Sequence, residues 1–334
     1  MSDNIRVGLI GYGYASKTFH APLIAGTPGM MLAAVSSSDA TKVHADWPSV
    51  PVVSEPKHLF NDPNIDLIVI PTPNDTHFPL AKAALEAGKH VIVDKPFTVT
   101  LSQARELDAL AKGLGRLLSV FHNRRWDSDF LTVKTLLSEG TLGEILFFES
   151  HFDRFRPQVR HRWREQAGPG SGIWYDLAPH LLDQAVNLFG LPVSMTVDLA
   201  QLRPGAQTTD YFHAVLSYPQ RRIVLHGTMV AAAESARYII HGTRGSYVKF
   251  GLDPQEDRLK NGERLPQEDW GYDMRDGVVT RVEGEELVEE TLLTMPGNYP
   301  AYYAAIRDAL NGTGENPVPA SQAIQIMELI ELGI

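Results

Sequence analysis

The chain has no cysteine. Disulfides and cysteine-ligated zinc are therefore excluded, and a reducing compartment suits it. Long apolar runs are missing too, since none approaches the roughly 20 residues that a membrane span needs. Positive charge is scarce: 30 Lys and Arg stand against 40 Asp and Glu, for a formal net charge of −10. Such a chain is a poor partner for nucleic acid or an anionic membrane, and its charge mainly supports solubility. An anionic ligand would need a local basic or amide-lined site working against the overall field. The start "MSDNIR" contains no apolar signal region, so a cytoplasmic protein that binds a small molecule is expected. At 334 residues, two domains are the natural expectation.

What is present is a change of period along the chain. In the first third, "IRVGLI", "MLAAVS", "DLIVIP", "HVIVDKP" and "RLLSVF" are short runs rich in Val, Ile and Leu. Stretches of helical spacing separate them, such as "THFPLAKAALEAGK" and "TLSQARELDALAKG", with Gly88 and Gly113 placed as helix C-caps. This pattern predicts an α/β domain over residues 1–122, a doubly wound parallel sheet covered on both faces. From residue 123 the pattern differs. Two helices, "DSDFLTVKTLLSEG" and "YDLAPHLLDQAVNLFG", flank the alternating run "EILFFESHFDRFRP". Then come "VSMTVDLAQLRP", "DYFHAVLSYPQ", "RRIVLHGTMV", "ARYIIHGTRG" and "SYVKFGLD". Residues 123–334 are thus expected to form an α+β domain with an open, mostly antiparallel sheet. The two helices would cover one face. Val224, Ile239 and Val248 make the other face apolar enough to expect a second subunit against it.

The stretch "VGLIGYGYAS" follows the first strand and opens a helix. Gly11 permits the tight turn, and Gly13 lets a pyrophosphate approach the backbone at the helix N-terminus, with Tyr14 and Ala15 completing the loop. Ser16 stands where a third glycine is usual and is small enough to fit. The second strand ends in Ser36, Ser37 and Ser38 rather than in the acid that would bind the ribose hydroxyls of NAD. A carboxylate would repel a 2′-phosphate, whereas hydroxyls and Lys42 suit one, so NADP is expected and NAD is the alternative. The same serines are also consistent with a plain polar loop in which Asp39 caps the next helix. At the next long strand end, Thr72, Pro73, Asn74 and His77 are placed to contact the nicotinamide ribose, or to form a Pro-rich turn before a helix.

Two constellations bear on chemistry. Asp94 and Lys95 in "HVIVDKPFT" sit at the end of a buried strand, where charge is costly unless used or paired. A lysine beside a cofactor can donate to a carbonyl oxygen and relay a proton, and a structural ion pair is the other reading. In "GSGIWYDLAPHLLDQAV", Asp176, His180 and Asp183 recur at i, i+4 and i+7, on one face of a helix. A carboxylate that orients an imidazole is an acid/base pair suited to alcohol oxidation. No further ligand of suitable spacing joins them, so no metal is expected there, and a partly solvated polar stripe remains open.

Together these residues resemble the Gfo/Idh/MocA family of oxidoreductases. The resemblance rests on "GYGYASKTFHAPL", "TPNDTH", "AGKHVIVDKP", "HNRRWDSDF", "GSGIWYDLAPHLLD" and "DYFHAVL", and it covers nearly the whole chain. It implies a Rossmann domain followed by an open-sheet domain used in homodimers or homotetramers. The family's glutamate–lysine–proline motif stands here as Asp94, Lys95 and Pro96, with Lys95 at the catalytic position, and its later aspartate and histidine match Asp176 and His180. Further stretches, "LLSVFHNRRWDSDFLTVKTLLSEGTLGEI" and "RFRPQVRHRWRE", are similar to the branch containing NADP-dependent scyllo-inositol dehydrogenases. That branch implies that Asn123, Arg124, Arg125 and Trp126 border the cleft and that Arg162 and Trp163 approach the cofactor. Asp153 and Arg154 are weaker candidates for substrate hydroxyls. The expected activity is hydride transfer between NADP(H) and a secondary alcohol of a cyclitol or sugar. The alternatives are a glycosidase that uses its nicotinamide transiently and a non-catalytic nucleotide sensor. A short-chain dehydrogenase is disfavoured, because no Tyr-x-x-x-Lys is present.

Overall fold

The computed structural model describes residues 4–334; the first three residues of the polar N-terminal stretch lie outside them. The chain divides into two compact units, each built on its own sheet.

In the first unit, β1 (Ile5–Ile10), β2 (Met30–Ser36), β3 (Val52–Val53), β4 (Leu67–Ile70), β5 (His90–Asp94) and β6 (Leu118–Phe121) are all parallel. Their order is β3-β2-β1-β4-β5-β6. Successive strands are linked by α1 (Ala21–Ala25), α2 (Ala40–Asp46), α3 (Pro56–Phe60), α4 (Asn74–Glu86) and α5 (Leu101–Leu114). Val7, Leu9, Val35, Ile68, Val69 and Ile92 are fully buried, as coverage on both faces demands. Burying each such side chain contributes about 1.5–3 kcal/mol. The strand order reverses between β1 and β4, which opens a crevice at the carboxyl ends of the strands. Helix ends follow local chemistry. Thr100 and Gln103 form a reciprocal capping box at the start of α5, and Gly88 takes φ +79° just past the end of α4. Gly113, expected as a cap, lies inside α5, and Gly115 with φ 63° terminates that helix instead.

The second unit holds the eight-stranded sheet. Its leading helix is α6 (Ser128–Ser138), followed by β7 (Ile145–Asp153), α7 (Gly172–Asp176) and α8 (Ala178–Phe189). The strands β8 (Ser194–Ala200), β9 (Tyr211–Ser217), β10 (Arg222–Thr228), β11 (Ala236–Gly242) and β12 (Gly245–Phe250) come next. After α9 (Gln255–Lys260), the hairpin β13 (Gly277–Glu283) and β14 (Glu286–Leu292) completes the sheet, in the order β14-β13-β12-β11-β7-β10-β9-β8. Only β7 and β10 run parallel; the other pairs are antiparallel. β14 had no clear sequence signal because five of its seven residues are exposed and three are glutamates. The chain ends with α10 (Pro300–Leu310) and α11 (Ala320–Leu332). The first unit takes in residues 255–270 and 298–327 besides the stretch up to Asn123.

Alternation along β7 gives the second sheet two faces. Phe148, Ser150 and Phe152 are buried on the side where α8 packs, while Glu149, His151 and Asp153 are half-exposed on the other. The open face is mixed. Val224, Ile239 and Val248 share it with those polar residues through the strand register. Behind the sheet, the buried Arg237 guanidinium donates to Asp129 Oδ2 (2.9 Å), Ser150 Oγ (2.8 Å), the His151 carbonyl (3.0 Å) and Gln184 Oε1 (2.9 Å). It thereby ties α6, β7 and α8 to β11. Among the described residues, no helix is long and apolar enough to cross a membrane.

Removing one partner of a buried pair leaves an uncompensated charge, which costs about 3–5 kcal/mol. Arg237→Met should therefore lower unfolding free energy by about that amount in urea titration. A loss below about 1 kcal/mol would show that Asp129 does not depend on it.

Candidate functional site

The loop after β1 is shaped by two glycines and a serine. Gly11 holds φ +79°, a conformation that costs an L-residue roughly 1–2 kcal/mol, and its N–H donates to the Ser36 carbonyl at 2.7 Å. Ser16, in the place of the third glycine, is fully buried and donates through Oγ to the Gly11 carbonyl at 2.9 Å. The chain accommodates it by a π-helical turn (Ser16–His20) that leads into α1. A Cβ on Gly13 would meet nothing within 4 Å. Space therefore lies against the backbone at the start of this helix, as a phosphate cradle requires. Ala15 is the last residue before the π turn, and the exposed Tyr14 donates its hydroxyl to Glu256 Oε1 at 2.7 Å.

A cavity of about 350 Å³ adjoins this loop and is lined by Gly11, Tyr12, Ser36, Ser37, Ser38, Asp39, Lys42, Thr72, Pro73 and Thr76, among others. The structure thus gathers the strand-end serines and the first loop around one space. Asp39 lies there too, but its carboxylate is engaged by its own helix. It accepts from the backbone N–H groups of Thr41 and Lys42 at 3.1 and 3.3 Å and from the Thr41 hydroxyl at 2.7 Å, with Lys42 Nζ at 3.4 Å. Asp39 thus caps α2 while Ser36, Ser37 and Ser38 line the cavity.

The β4 end behaves differently from expectation. Thr72 and Pro73 line the cavity, and Asn74 opens α4 as a buried residue. His77, expected as a ribose contact, has no exposure. Its Nδ1 lies 2.9 Å from the Pro96 carbonyl and its Nε2 2.9 Å from the Thr72 carbonyl. Burial lowers its pKa. His77 is a brace between two loops rather than a ligand contact.

That brace reaches the turn that carries Lys95. Asp94 Oδ1 accepts the Lys95 backbone N–H at 2.7 Å, and its Oδ2 lies 3.6 Å from Nε2 of the buried His20. Burial alone would raise the Asp94 pKa, but the neighbouring His20, Lys95 and His77 outweigh it and hold the carboxyl below its ordinary value. The Tyr303 hydroxyl stands 2.6 Å from His20 Nδ1, and burial keeps that phenol protonated. Its O–H donating to Nδ1 would leave the imidazole proton on Nε2, toward Asp94. His20 and Tyr303 leave no signal in the sequence, because their partners are remote in the chain and no local spacing marks them.

In the second unit, the stripe Asp176, His180, Asp183 is broken. α7 ends at Asp176 and α8 starts at Ala178, with Leu177 bent to φ −110° between them. Asp176 Oδ1 is 3.4 Å from Arg164 Nε. His180, buried near the start of α8, has its ring 6.4 Å from that of Phe152 in a stacked orientation. Asp183 belongs to neither: Arg125 grips it bidentately at 2.8 and 2.6 Å. Arg162 donates to Glu165 at 2.6 Å, and the Arg164 guanidinium covers the Trp163 ring at 4.5 Å. Asn123 is buried at the head of a 3₁₀ turn, Asn123–Trp126. Arg154 lies over the Phe152 ring at 4.9 Å, on the α8 side of the sheet. Asp153, a candidate for substrate contact, points the other way. It sits on the open face between His151 and His226, which removes it from the surroundings of His180.

Two family models match the chain: an oxidoreductase family NAD-binding Rossmann fold over residues 5–122, and an oxidoreductase family C-terminal alpha/beta domain over residues 134–334. The chain belongs to the Gfo/Idh/MocA oxidoreductase family. It is 89% identical to the uncharacterized oxidoreductase YdgJ of Escherichia coli (strain K12), over 100% of this chain and 96% of that protein. It is 38% identical to the scyllo-inositol 2-dehydrogenase (NADP(+)) IolW of Bacillus subtilis (strain 168), over 98% of this chain and 92% of that protein. Among solved structures, the YPO2259 oxidoreductase of Yersinia pestis superposes with a TM-score of 0.97 at 73% identity, covering 100% of this chain and 95% of the other. As a Gfo/Idh/MocA oxidoreductase the protein uses a nicotinamide cofactor. Gly11, the open space at Gly13 and the hydroxyl-lined cavity fit the nucleotide part of one.

The open space at Gly13 gives a test that separates binding from folding. Gly13→Val should leave the thermal midpoint within about 3 °C of wild type, because no neighbour is displaced, yet weaken NADPH binding by at least about tenfold in a fluorescence titration. Unchanged binding would move the phosphates away from this loop.

Proposed function

We propose that the protein is an NADP(H)-dependent dehydrogenase acting on a secondary alcohol or ketone of a cyclitol or sugar. The observation that supports this most is the end of β2. Ser36, Ser37 and Ser38 and Lys42 border the cavity there, at the place where NAD enzymes present a carboxylate to the ribose hydroxyls. A 2′-phosphate, with a charge of nearly −2, suits hydroxyls and an ammonium and is repelled by an added acid. The 38% identity to a protein named scyllo-inositol 2-dehydrogenase (NADP(+)) supports the same cofactor and the substrate class.

When bound, the nicotinamide supplies the hydride acceptor or donor. In this reading Lys95 donates to the substrate oxygen, with Asp94 and His20 fixing the turn that bears it. His180 exchanges the hydroxyl proton, and Asp176, held by Arg164, is assigned to orient it. Asn123 and Arg154 are assigned to substrate hydroxyls, and Arg162 and Trp163 to the cofactor. Copies of the chain would associate through the open face of the second sheet. A glycosidase that uses its nicotinamide transiently is distinguished by the lack of net change in nicotinamide absorbance.

Lys95→Met should reduce turnover of the best substrate in an inositol and aldose screen by about 10²-fold or more, while NADPH binding stays near wild type. Full activity in that variant removes Lys95 from the mechanism. Ser37→Asp should shift the ratio of kcat/KM for NADP over NAD by at least about tenfold toward NAD, since a charge-assisted hydrogen bond contributes about 1.5–3 kcal/mol. A wild-type enzyme that already prefers NAD would refute the assignment of the serines.

A further inference from the structure

The open face of the second sheet carries a side-chain cluster that the dehydrogenase reading does not use. His151 and Asp153 are two apart on β7 and therefore share a face. On the parallel neighbour β10, His226 stands in register with His151. His151 Nδ1 lies 3.0 Å from Asp153 Oδ2, and His226 Nδ1 lies 2.7 Å from Asp153 Oδ1. One ligand atom from each of the three lies within 4.8 Å of the others. A tetrahedral ion with bonds of about 2.0–2.1 Å needs donors about 3.4 Å apart, so little movement is required to close around a cation. The intervening residue Phe152 faces α8 and the His180 ring, which puts the cluster on the opposite side of the sheet from that histidine.

A second feature points to a metal rather than to a chance polar group. Glu149, two residues before His151 on the same face, accepts from His151 Nε2 at 2.8 Å. A carboxylate holding the far nitrogen of a ligating histidine is the usual outer shell of a zinc site, because it fixes the tautomer and makes the near nitrogen a better donor. Here the nitrogen so exposed is Nδ1, the one that faces Asp153. The side chains of Glu149, His151 and His226 are partly exposed on this face of the single chain, while that of Asp153 is only 7% exposed, so an ion would enter past the two imidazoles before a second copy covers the face. The strand pairing also brings His213 of β9 beside His226, with ring centroids 5.9 Å apart.

We propose that His151, Asp153 and His226 form a binding site for one divalent transition-metal ion of the zinc type, with Glu149 as the outer-shell acceptor. Two imidazoles and a carboxylate select such an ion over Mg²⁺ or Ca²⁺, which prefer all-oxygen sets. The ion would link β7 to β10, and the remaining coordination position faces away from α8. Binding displaces the protons that His151 Nδ1 and His226 Nδ1 each share with Asp153, so affinity should rise with pH as protons cease to compete.

The test uses the full-length protein, without an affinity tag and stripped with a chelator. Zn²⁺ is titrated calorimetrically, and Co²⁺ is followed by its visible absorption. One ion per chain with a micromolar or tighter Kd is expected, with no comparable binding of Mg²⁺. His226→Gln should weaken Zn²⁺ binding at least about 100-fold, and Glu149→Gln about 10-fold or more, the scale of outer-shell losses. NADPH binding should be unaffected in both variants. Their metal-free thermal midpoints, compared with wild type, identify any folding defect, and the wild-type Co²⁺ spectrum tests the site without any substitution. The absence of saturable one-to-one binding in the wild type overturns the proposal, leaving a proton-bridged cluster only. Zn²⁺ binding in His226→Gln as tight as in the wild type also overturns it.

Discussion

In a parallel sheet covered on both faces, only the strand ends meet water. That constraint governs the first unit. The middles of β1, β4 and β5 are aliphatic and fully buried, and any polar group placed there would lack a partner. The carboxyl ends are where the backbone has to turn, and each turn here is stabilised by a polar group within hydrogen-bonding reach. Gly11 is tied to Ser16 and Ser36, Thr72 to His77, and Asp94 to the backbone of Lys95. Because His77 holds both the Thr72 loop and the Pro96 turn, the cavity wall and the Lys95 turn are parts of one braced assembly. A loop motif and a catalytic candidate that look separate in the sequence share a mechanical support.

The second unit meets a different problem. Its α8 buries His180, Asp183 and Gln184 against a sheet, and buried polar side chains must find partners. Asp183 finds Arg125, and Gln184 bonds both the Arg124 carbonyl and Arg237. These ties fix the rotation and depth of the helix, and so the position of His180. Arg164 restrains Asp176 from outside the helix. The two carboxylates that flank His180 in sequence therefore have divergent partners: Asp176 is held by Arg164 at the end of α7, and Asp183 by Arg125.

The parallel sheet was legible because buried strands must be aliphatic and the helices between them amphipathic. The glycine turn after β1 was legible because few residues tolerate the positive φ of Gly11. The break between α7 and α8 was also signalled: Pro179 lacks an N–H and sits comfortably only at a helix start. Reading the stripe as one continuous helix passed over that residue. His20, Tyr303 and Arg164 were not legible, since each gains its meaning from a partner that folding brings near. His77 misled for the opposite reason. A histidine in a ligand-lining motif can just as well donate its ring N–H to a backbone carbonyl, and only burial distinguishes the cases.

The same logic separates the two faces of β7. Alternation sends Phe152 toward α8 and His151 and Asp153 toward the open side. On the covered side an aromatic ring stacks with His180, and a neighbouring arginine, Arg154, lies over that ring. On the open side a carboxylate is held between two imidazoles. A strand with period two can serve two chemistries at consecutive residues without either group meeting the other. This is why sequence proximity linked Asp153 with Arg154, and why the fold assigns them to different surfaces.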